Sequence, residues 1–323
     1  LAVAIENERD EEVNDGDLPQ MPAGFLVKLP VKDGAVDCAA AQKIDLTGVA
    51  AVAGEDPEPE FVSINEAGEI ALTLQENNHI VVVAADNTVS SFSAGSVTLE
   101  GIDTKKDGRL DFSAKMENVL REPDGITWID ADHFVTANEG DWKGGSRSFT
   151  IWKKDGTVVY ESGASLERAM ASLGHYPDKR NKKGVELESV AVGTYGDQTL
   201  LFVAAERASL VAVYDLADPA APKLVQILPS GISPEGLVTI PGRNLLASAN
   251  EFDAREDGGP AAHVMIYEMA EGTASYPTIQ AEGDIGFAAL SALAASDAPG
   301  MMFAASDSFL SGSPSIYTID ATA

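Results

Sequence analysis

The sequence predicts an all-β protein, a β-propeller of at least six visible four-stranded blades, and three observations carry that reading. Short stretches rich in Val, Ile, Leu, Phe and Ala recur between Gly, Pro, Asn and Asp, with almost no amphipathic helical period. The stretches come in an ordered set of first, second and third strands that repeats along the chain. Each second strand is built of small residues and closes on an acid. A β-sandwich is the rival, but its strands do not repeat one motif in register.

The second strands are the clearest elements: "LAVAIE" to Glu6, "IALTLQE" to Glu76, "HFVTANE" to Glu139, "LLFVAAE" to Glu206, "LLASANE" to Glu251 and "MMFAASD" to Asp307. Before them stand "EPEFVSI" with Glu60, "EPDGITWI" with Asp124, "VELESVAV" with Glu188, "SPEGLVTI" with Glu235, and "ALSALAAS", where Ser291 replaces the acid. After them come third strands such as "HIVVVAAD", "SFTIWKKD" and "SLVAVYDL", and "TVVYES" and "PKLVQIL" are fourth strands. A lone four-stranded sheet cannot bury both faces, so such units must stack on one another. The chain opens inside a second strand and stops after a third. It is therefore expected to be a single propeller domain over residues 1–323, a portion of a longer chain with seven blades possible in the parent.

Departures from β structure are few. "SLERAMASLG", Ser165 to Gly174, has a Ser N-cap and a Gly stop and predicts one short inserted helix with a packing role. Segments 31–57 and 92–121 are longer connections with weak strand signals, and the acidic loop 6–17 is expected to be mobile unless it holds an ion. "DTKKDGRLD", from Asp103 to Asp111, has EF-hand-like spacing but puts Lys105 at a ligand position and lacks the closing Glu, so it reads as a turn.

Composition narrows the function. Fifty-one acids against 22 bases give a net charge of −29, which argues against a nucleic-acid binder that works by neutralising phosphates. Strong acidity suits a secreted (extracellular), periplasmic or saline setting. No run reaches the roughly 18 apolar residues that a membrane span needs. Cys38, the single cysteine, excludes an intrachain disulfide and a multi-cysteine metal site, and His79, His133, His175 and His263 have no metal-ligand spacing. Any metal must be a hard, oxygen-bound ion.

The repeated acids supply such ligands. Glu60 and Glu76, Asp124 and Glu139, Glu188 and Glu206, and Glu235 and Glu251 are each about 16 residues apart. An antiparallel hairpin brings the start of one strand beside the end of the next, so each pair shares one end of its blade. First strands line a propeller's channel, so stacking gathers the pairs, with Asp307, around one channel mouth. Crowded carboxylates raise one another's pKa and call for a cation, Ca²⁺ first and Mg²⁺ second. Each acid taken alone reads equally as a turn cap. The basic cluster "DKRNKKG" (Lys179, Arg180, Lys182, Lys183) precedes a first strand and is expected near the same mouth, joined by Arg207, Lys143, Arg147 and Arg255. Trp142, in a mouth loop, could stack on a ligand, whereas Trp128 and Trp152 belong to the core. No G-x-S-x-G, P-loop or H-E-x-x-H motif is present.

The run from "REPDGITWIDADHFVTANEGDW" to "SPEGLVTIPGRNLLASANE" resembles the choice-of-anchor I family of secreted bacterial β-propellers and, more distantly, phytase-like propellers. The resemblance implies export and frequent attachment to the cell surface. Two functions are therefore expected. The first is a non-catalytic module whose cation-stiffened mouth binds a protein, a glycan or a phosphate ester. The alternative is a metal-dependent phosphoric ester hydrolase of alkaline phosphatase or phytase-like type, with Glu139, Glu188, Glu206, Glu235 and Glu251 on the metal and the basic cluster on phosphate.

Overall fold

A computed structural model describes residues 1–105, 110–175, 183–273, 279–280, 282, 285, 287, 290–306 and 314–322. The strands form six successive antiparallel meanders. Sheet I holds Ala2–Ile5, Phe25–Lys28 and Gln42–Asp45, and sheet II holds Pro59–Ile64, Ile70–Leu74, His79–Val83 and Val89–Ser93. Sheet III comprises Ile126–Trp128, His133–Asn138, Ser148–Lys153 and Val158–Glu161; sheet IV comprises Leu187–Tyr195, Gln198–Ala205, Leu210–Asp215 and Lys223–Pro229. Sheet V has Pro234–Ile240, Leu245–Asn250 and His263–Glu268, and sheet VI has Leu290–Ala295, Met301–Ser306 and Ile316–Asp320.

All-β architecture therefore holds. Among the described residues only sheets II, III and IV have four strands. Sheet I lacks the opening strand, in line with a chain that starts in a second strand, and Gln42–Asp45 inside the weakly patterned segment 31–57 closes it. Sheet V is the departure, because no fourth strand follows His263–Glu268 among the described residues. The segment read as a connection at 92–121 forms a two-stranded ribbon, Ser96–Ile102 with Ala114–Leu120.

Alternation along the strands explains why the sheets stack. In sheet II, Ile70, Leu72 and Leu74 face Leu26, Ile44 and Leu46, while Ala71 and Ile80 face Trp128, Phe134 and Trp152 of sheet III. In sheet IV, Leu201, Val203 and Ala205 meet Val135, Phe149 and Ile151, and Leu200 and Phe202 turn to Leu246 of sheet V. Strands buried on both faces need unbroken apolar runs, which is what "IALTL" and "LLFVAA" are. Each such large side chain contributes about 1.5–3 kcal/mol by leaving water. Val238, Val264 and Ile266 of sheet V are 60%, 63% and 67% exposed.

The helix α1 (Ser165–Ser172) packs Leu166, Met170 and Ala169 against the sheet III–IV core, as its packing role requires. Its cap differs from expectation: Ala164 is the N-cap and Ser165 is already helical. Trp128 and Trp152 are buried, their indole N–H groups donating to Ser63 O (3.2 Å) and Thr136 Oγ1 (3.0 Å). Residues 106–109 of the EF-hand-like stretch lie outside the described set, and Asp103 accepts the Lys105 and Asp111 backbone N–H groups, as in a turn.

Sheets I and II meet at a glycine. A Cβ on Gly24 would sit 2.3 Å from Pro59 Cδ, 2.6 Å from Pro57 O and 2.8 Å from Ile5 O. None of these ring or backbone atoms can swing aside. Gly24→Ala is expected to destabilise the protein by about 1–3 kcal/mol, read from the urea midpoint, and an unchanged midpoint would contradict this close approach.

Candidate functional site

Three of the acids that open the first strands, Glu60, Glu188 and Glu235, sit in β-bulges. Pairing skips a residue between Pro59 and Val62, between Leu187 and Val190, and between Pro234 and Gly236, the intervals that hold Glu60, Glu188 and Glu235. A bulge re-aims a side chain out of the regular alternation. Proline at 59 and 234 has no N–H for the ladder, which favours the irregularity there. Ser291 occupies the equivalent bulge of sheet VI, between Leu290 and Ala292.

The first strands Pro59–Ile64, Ile126–Trp128, Leu187–Tyr195 and Pro234–Ile240 of neighbouring sheets lie beside one another, and Ala2–Ile5 of sheet I lies beside Pro59–Ile64. Cross-links hold them: Thr73 Oγ1 donates to Asp124 O (2.7 Å), the Gly125 N–H to Glu188 O (3.1 Å) and Thr239 Oγ1 to Val192 O (3.0 Å). Hairpin pairing then sets the ends of the second strands alongside. The Glu206 N–H donates to Glu186 O (2.8 Å) and the Glu251 N–H to Ser233 O (2.9 Å).

The result is a continuous row of carboxylates. Asp124, Glu139 and Glu188 offer oxygens that all lie within 4.8 Å of one another, and so do Glu186, Glu188 and Glu206, and Glu206, Glu235 and Glu251. Successive triads share Glu188 and then Glu206. Burial, followed by the charges of Glu139 and its neighbours, drives Asp124 and Glu188 far above the ordinary carboxylate range. Burial raises Glu206 to about 7, with Glu186 adding to it, and burial with Glu251 raises Glu235 to about 7. At the other end of the row Glu6 shares a side-chain hydrogen bond with Glu60, and burial followed by Glu60 lifts Glu6 to about 9. Glu76, nearby, is raised to about 8 by burial.

Among the described residues two cations are embedded in the row. Lys183 Nζ lies 2.6 Å from Glu139 Oε1, 3.2 Å from Glu186 Oε1 and 3.6 Å from Asp141 Oδ1. Arg207 pairs with Glu186 and, at 3.0 Å, with Glu206. Burial pushes Glu186 up, yet Arg207 and Lys183 more than offset it and hold this carboxyl below its ordinary value. Gln75 Nε2 also donates to Glu139 (2.6 Å). Among the described residues these two cations are outnumbered by the acids of the row, and a set made only of carboxylate oxygens has the chemistry that suits a hard cation.

Several sequence-predicted residues lie elsewhere. Asp307, Lys179, Arg180 and Lys182 fall outside the described residues. Arg147, expected at the mouth, is completely buried and pairs with Glu167 of α1 at 3.2 Å. Arg255 is exposed and pairs with Asp253. Trp142 is half-buried, its backbone N–H bound to Glu122 (2.9 Å) and its ring covered by Lys143 Nζ at 3.5 Å. The loop expected to be mobile at 6–17 is anchored. Arg9 is buried, donates to Gly16 O and pairs with Asp141, while Asp17 pairs with Lys143 at 3.2 Å. Glu186, Asp141, Arg9 and Glu58 escaped the sequence reading because none occupies the repeated position. A usable signal existed for Glu186, which stands two residues before Glu188 in "VELES".

A family model, the choice-of-anchor I domain, matches residues 33–144 and 142–219, and the chain belongs to that family. No curated protein matches it. Among solved structures it is similar to a proposed 6-phosphogluconolactonase from Bacteroides fragilis, with 15% identity, TM-score 0.46, and coverage of 79% of this chain and 64% of that one. The periplasmic gluconolactonase of Pseudomonas aeruginosa gives 12% identity, TM-score 0.42, and coverage of 72% and 58%. A proposed 6-phosphogluconolactonase from Bacteroides uniformis gives 12% identity, TM-score 0.48, and coverage of 98% and 77%. The chain thus spans less than two thirds of the length of the first two. Among the described residues no helix is long and apolar enough to cross a membrane.

Proposed function

We propose that this chain is part of a β-propeller of the extracellular face or periplasm, whose acidic channel mouth holds divalent cations and serves as a binding module. The observation that carries the reading is the run of three carboxylate triads that share members, Asp124–Glu139–Glu188, Glu186–Glu188–Glu206 and Glu206–Glu235–Glu251. Glu60 and Glu76 extend it toward sheet I. Meander sheets whose first strands lie side by side support the propeller, and membership of the choice-of-anchor I family supports a surface setting. Calcium fits the donor set best and magnesium second, because flexible coordination by many carboxylate oxygens favours the larger ion.

When bound, the ion would supply positive charge and an open coordination position for an anionic or hydroxyl-bearing ligand. The chain's own residues fix the acids and exclude water behind them. Lys183 and Arg207 are taken up by Glu139, Glu186 and Glu206, which favours a role as internal counter-ions over phosphate capture, and so favours the module over the ester hydrolase. The test is calorimetric titration of chelator-treated protein with calcium. Glu188→Gln, which removes the acid shared by two triads, should weaken binding at least tenfold. Equal affinity in the variant and the parent protein would overturn the reading.

A further inference from the structure

We infer that the three triads take two divalent ions, one at the junction of sheets III and IV and one at the junction of sheets IV and V, because Lys183 and Arg207 already occupy the triad between them. The inference rests on the cation-binding reading above and deepens it. Lys183 and Arg207 become the residues that set how many ions the triads hold and where.

Placement separates the triads first. Asp124 stands two residues before Ile126–Trp128 and Glu139 directly after His133–Asn138, both of sheet III, whereas Glu188 lies within Leu187–Tyr195 of sheet IV. Asp124–Glu139–Glu188 therefore spans the junction of sheets III and IV. Glu206 follows Gln198–Ala205 of sheet IV, while Glu235 and Glu251 belong to the first two strands of sheet V, so Glu206–Glu235–Glu251 spans the next junction. Glu186, Glu188 and Glu206 all come from sheet IV.

The carboxyls already committed to side-chain cations separate them again. In the middle triad both oxygens of Glu186 are engaged, Oε1 by Lys183 at 3.2 Å and Oε2 by Arg207, and Glu206 Oε2 lies 3.0 Å from Arg207 Nε. Only Glu188 is left over. At the III–IV junction Lys183 engages Glu139 alone, and Asp124 and Glu188 have no ion pair among the described residues. At the IV–V junction Arg207 engages Glu206 alone, and Glu235 and Glu251 have no ion pair among the described residues. Each outer triad thus keeps two carboxyls for one divalent ion, and the middle triad keeps one.

An ion in the middle would have to displace both cations from Glu186, which is 3% exposed and offers them little else to do. An ion in either outer triad competes with one cation at one acid. Bound there, it would tie neighbouring sheets together, whereas fixed side-chain cations serve within sheet IV.

Equilibrium dialysis against saturating calcium, with bound ions counted by mass spectrometry, tests the inference. The triads of the parent protein should hold two ions, so Glu139→Gln and Glu251→Gln should each hold one fewer than the parent, and Glu139→Gln/Glu251→Gln two fewer. Lys183→Met/Arg207→Met, which frees Glu186 and Glu206, should hold one more, and the charge-keeping Lys183→Arg/Arg207→Lys should match the parent. Glu186→Gln should also match it, because Glu186 belongs to neither outer triad. An unchanged count in Lys183→Met/Arg207→Met, or a loss in Glu186→Gln, overturns the inference and leaves the row standing as a site. If Lys183→Met/Arg207→Met does not fold, Glu186→Gln decides alone. A parent protein that holds no ion overturns the reading of the row and this inference with it.

Discussion

Millimolar calcium is expected to raise the melting temperature of the chelator-treated protein by roughly 5–10 °C. A ligand that binds only the folded chain stabilises it by about 2.7 kcal/mol at a hundred times its dissociation constant. For a domain of this size each kcal/mol moves the midpoint by about 2–4 °C. The physical source is local. Asp124, Glu139, Glu186, Glu188, Glu206, Glu235 and Glu251 are assembled only when three sheets stack, so the unfolded chain has no comparable site. Calorimetry in EDTA, then in calcium, reads the shift directly. Unchanged midpoints in both would mean that protons alone neutralise the row.

Stability without divalent ions is expected to fall as pH rises from about 5 to 9. Glu206 and Glu235 titrate at about 7 in the folded protein, Glu76 at about 8, and Glu6 and Glu58 at about 9, against an ordinary glutamate value of 4.5. Folded pKa values lie above unfolded ones. Through that window the native chain therefore keeps protons that the unfolded chain has lost, and each such group costs on the order of 1 kcal/mol per pH unit. Below about pH 4.5 both states are protonated and the penalty disappears. Glu186, whose pKa is lowered, is ionised in both states across this window and leaves the slope unchanged. Urea midpoints at pH 5, 7 and 9 in EDTA should descend, and calcium should flatten the descent by holding the same carboxyls charged. A midpoint that climbs toward pH 9 in EDTA would contradict the assignment.

Much of this site is legible in the residues. A strand buried on both faces needs an unbroken apolar run, so "IALTL" and "LLFVAA" announce themselves, and the acid at each end marks where the run leaves the core. Antiparallel pairing then brings Glu206 beside Glu186 and Glu251 beside Ser233 without further information. What periodicity does not reveal is where regular pairing breaks. Glu188 reaches the row through a bulge, and Glu186 does so from a backbone with φ of +53°. Arg147 was misplaced for the converse reason. A basic residue in a loop reads as exposed until a buried partner, Glu167 on α1, is known to face it. Arg9 is anchored by Asp141, 132 residues away, a pairing that no local pattern encodes. Sheet V likewise reads as a full unit although no fourth strand joins it among the described residues.

Anomalous diffraction from crystals grown with calcium, or soaked with terbium in its place, examines the site where the chemistry is. Peaks should stand among Asp124, Glu139, Glu188, Glu206 and Glu235, each contacted by carboxylates from more than one sheet. A featureless map at those residues under saturating ion, from crystals in which the side chains are ordered, would contradict the account.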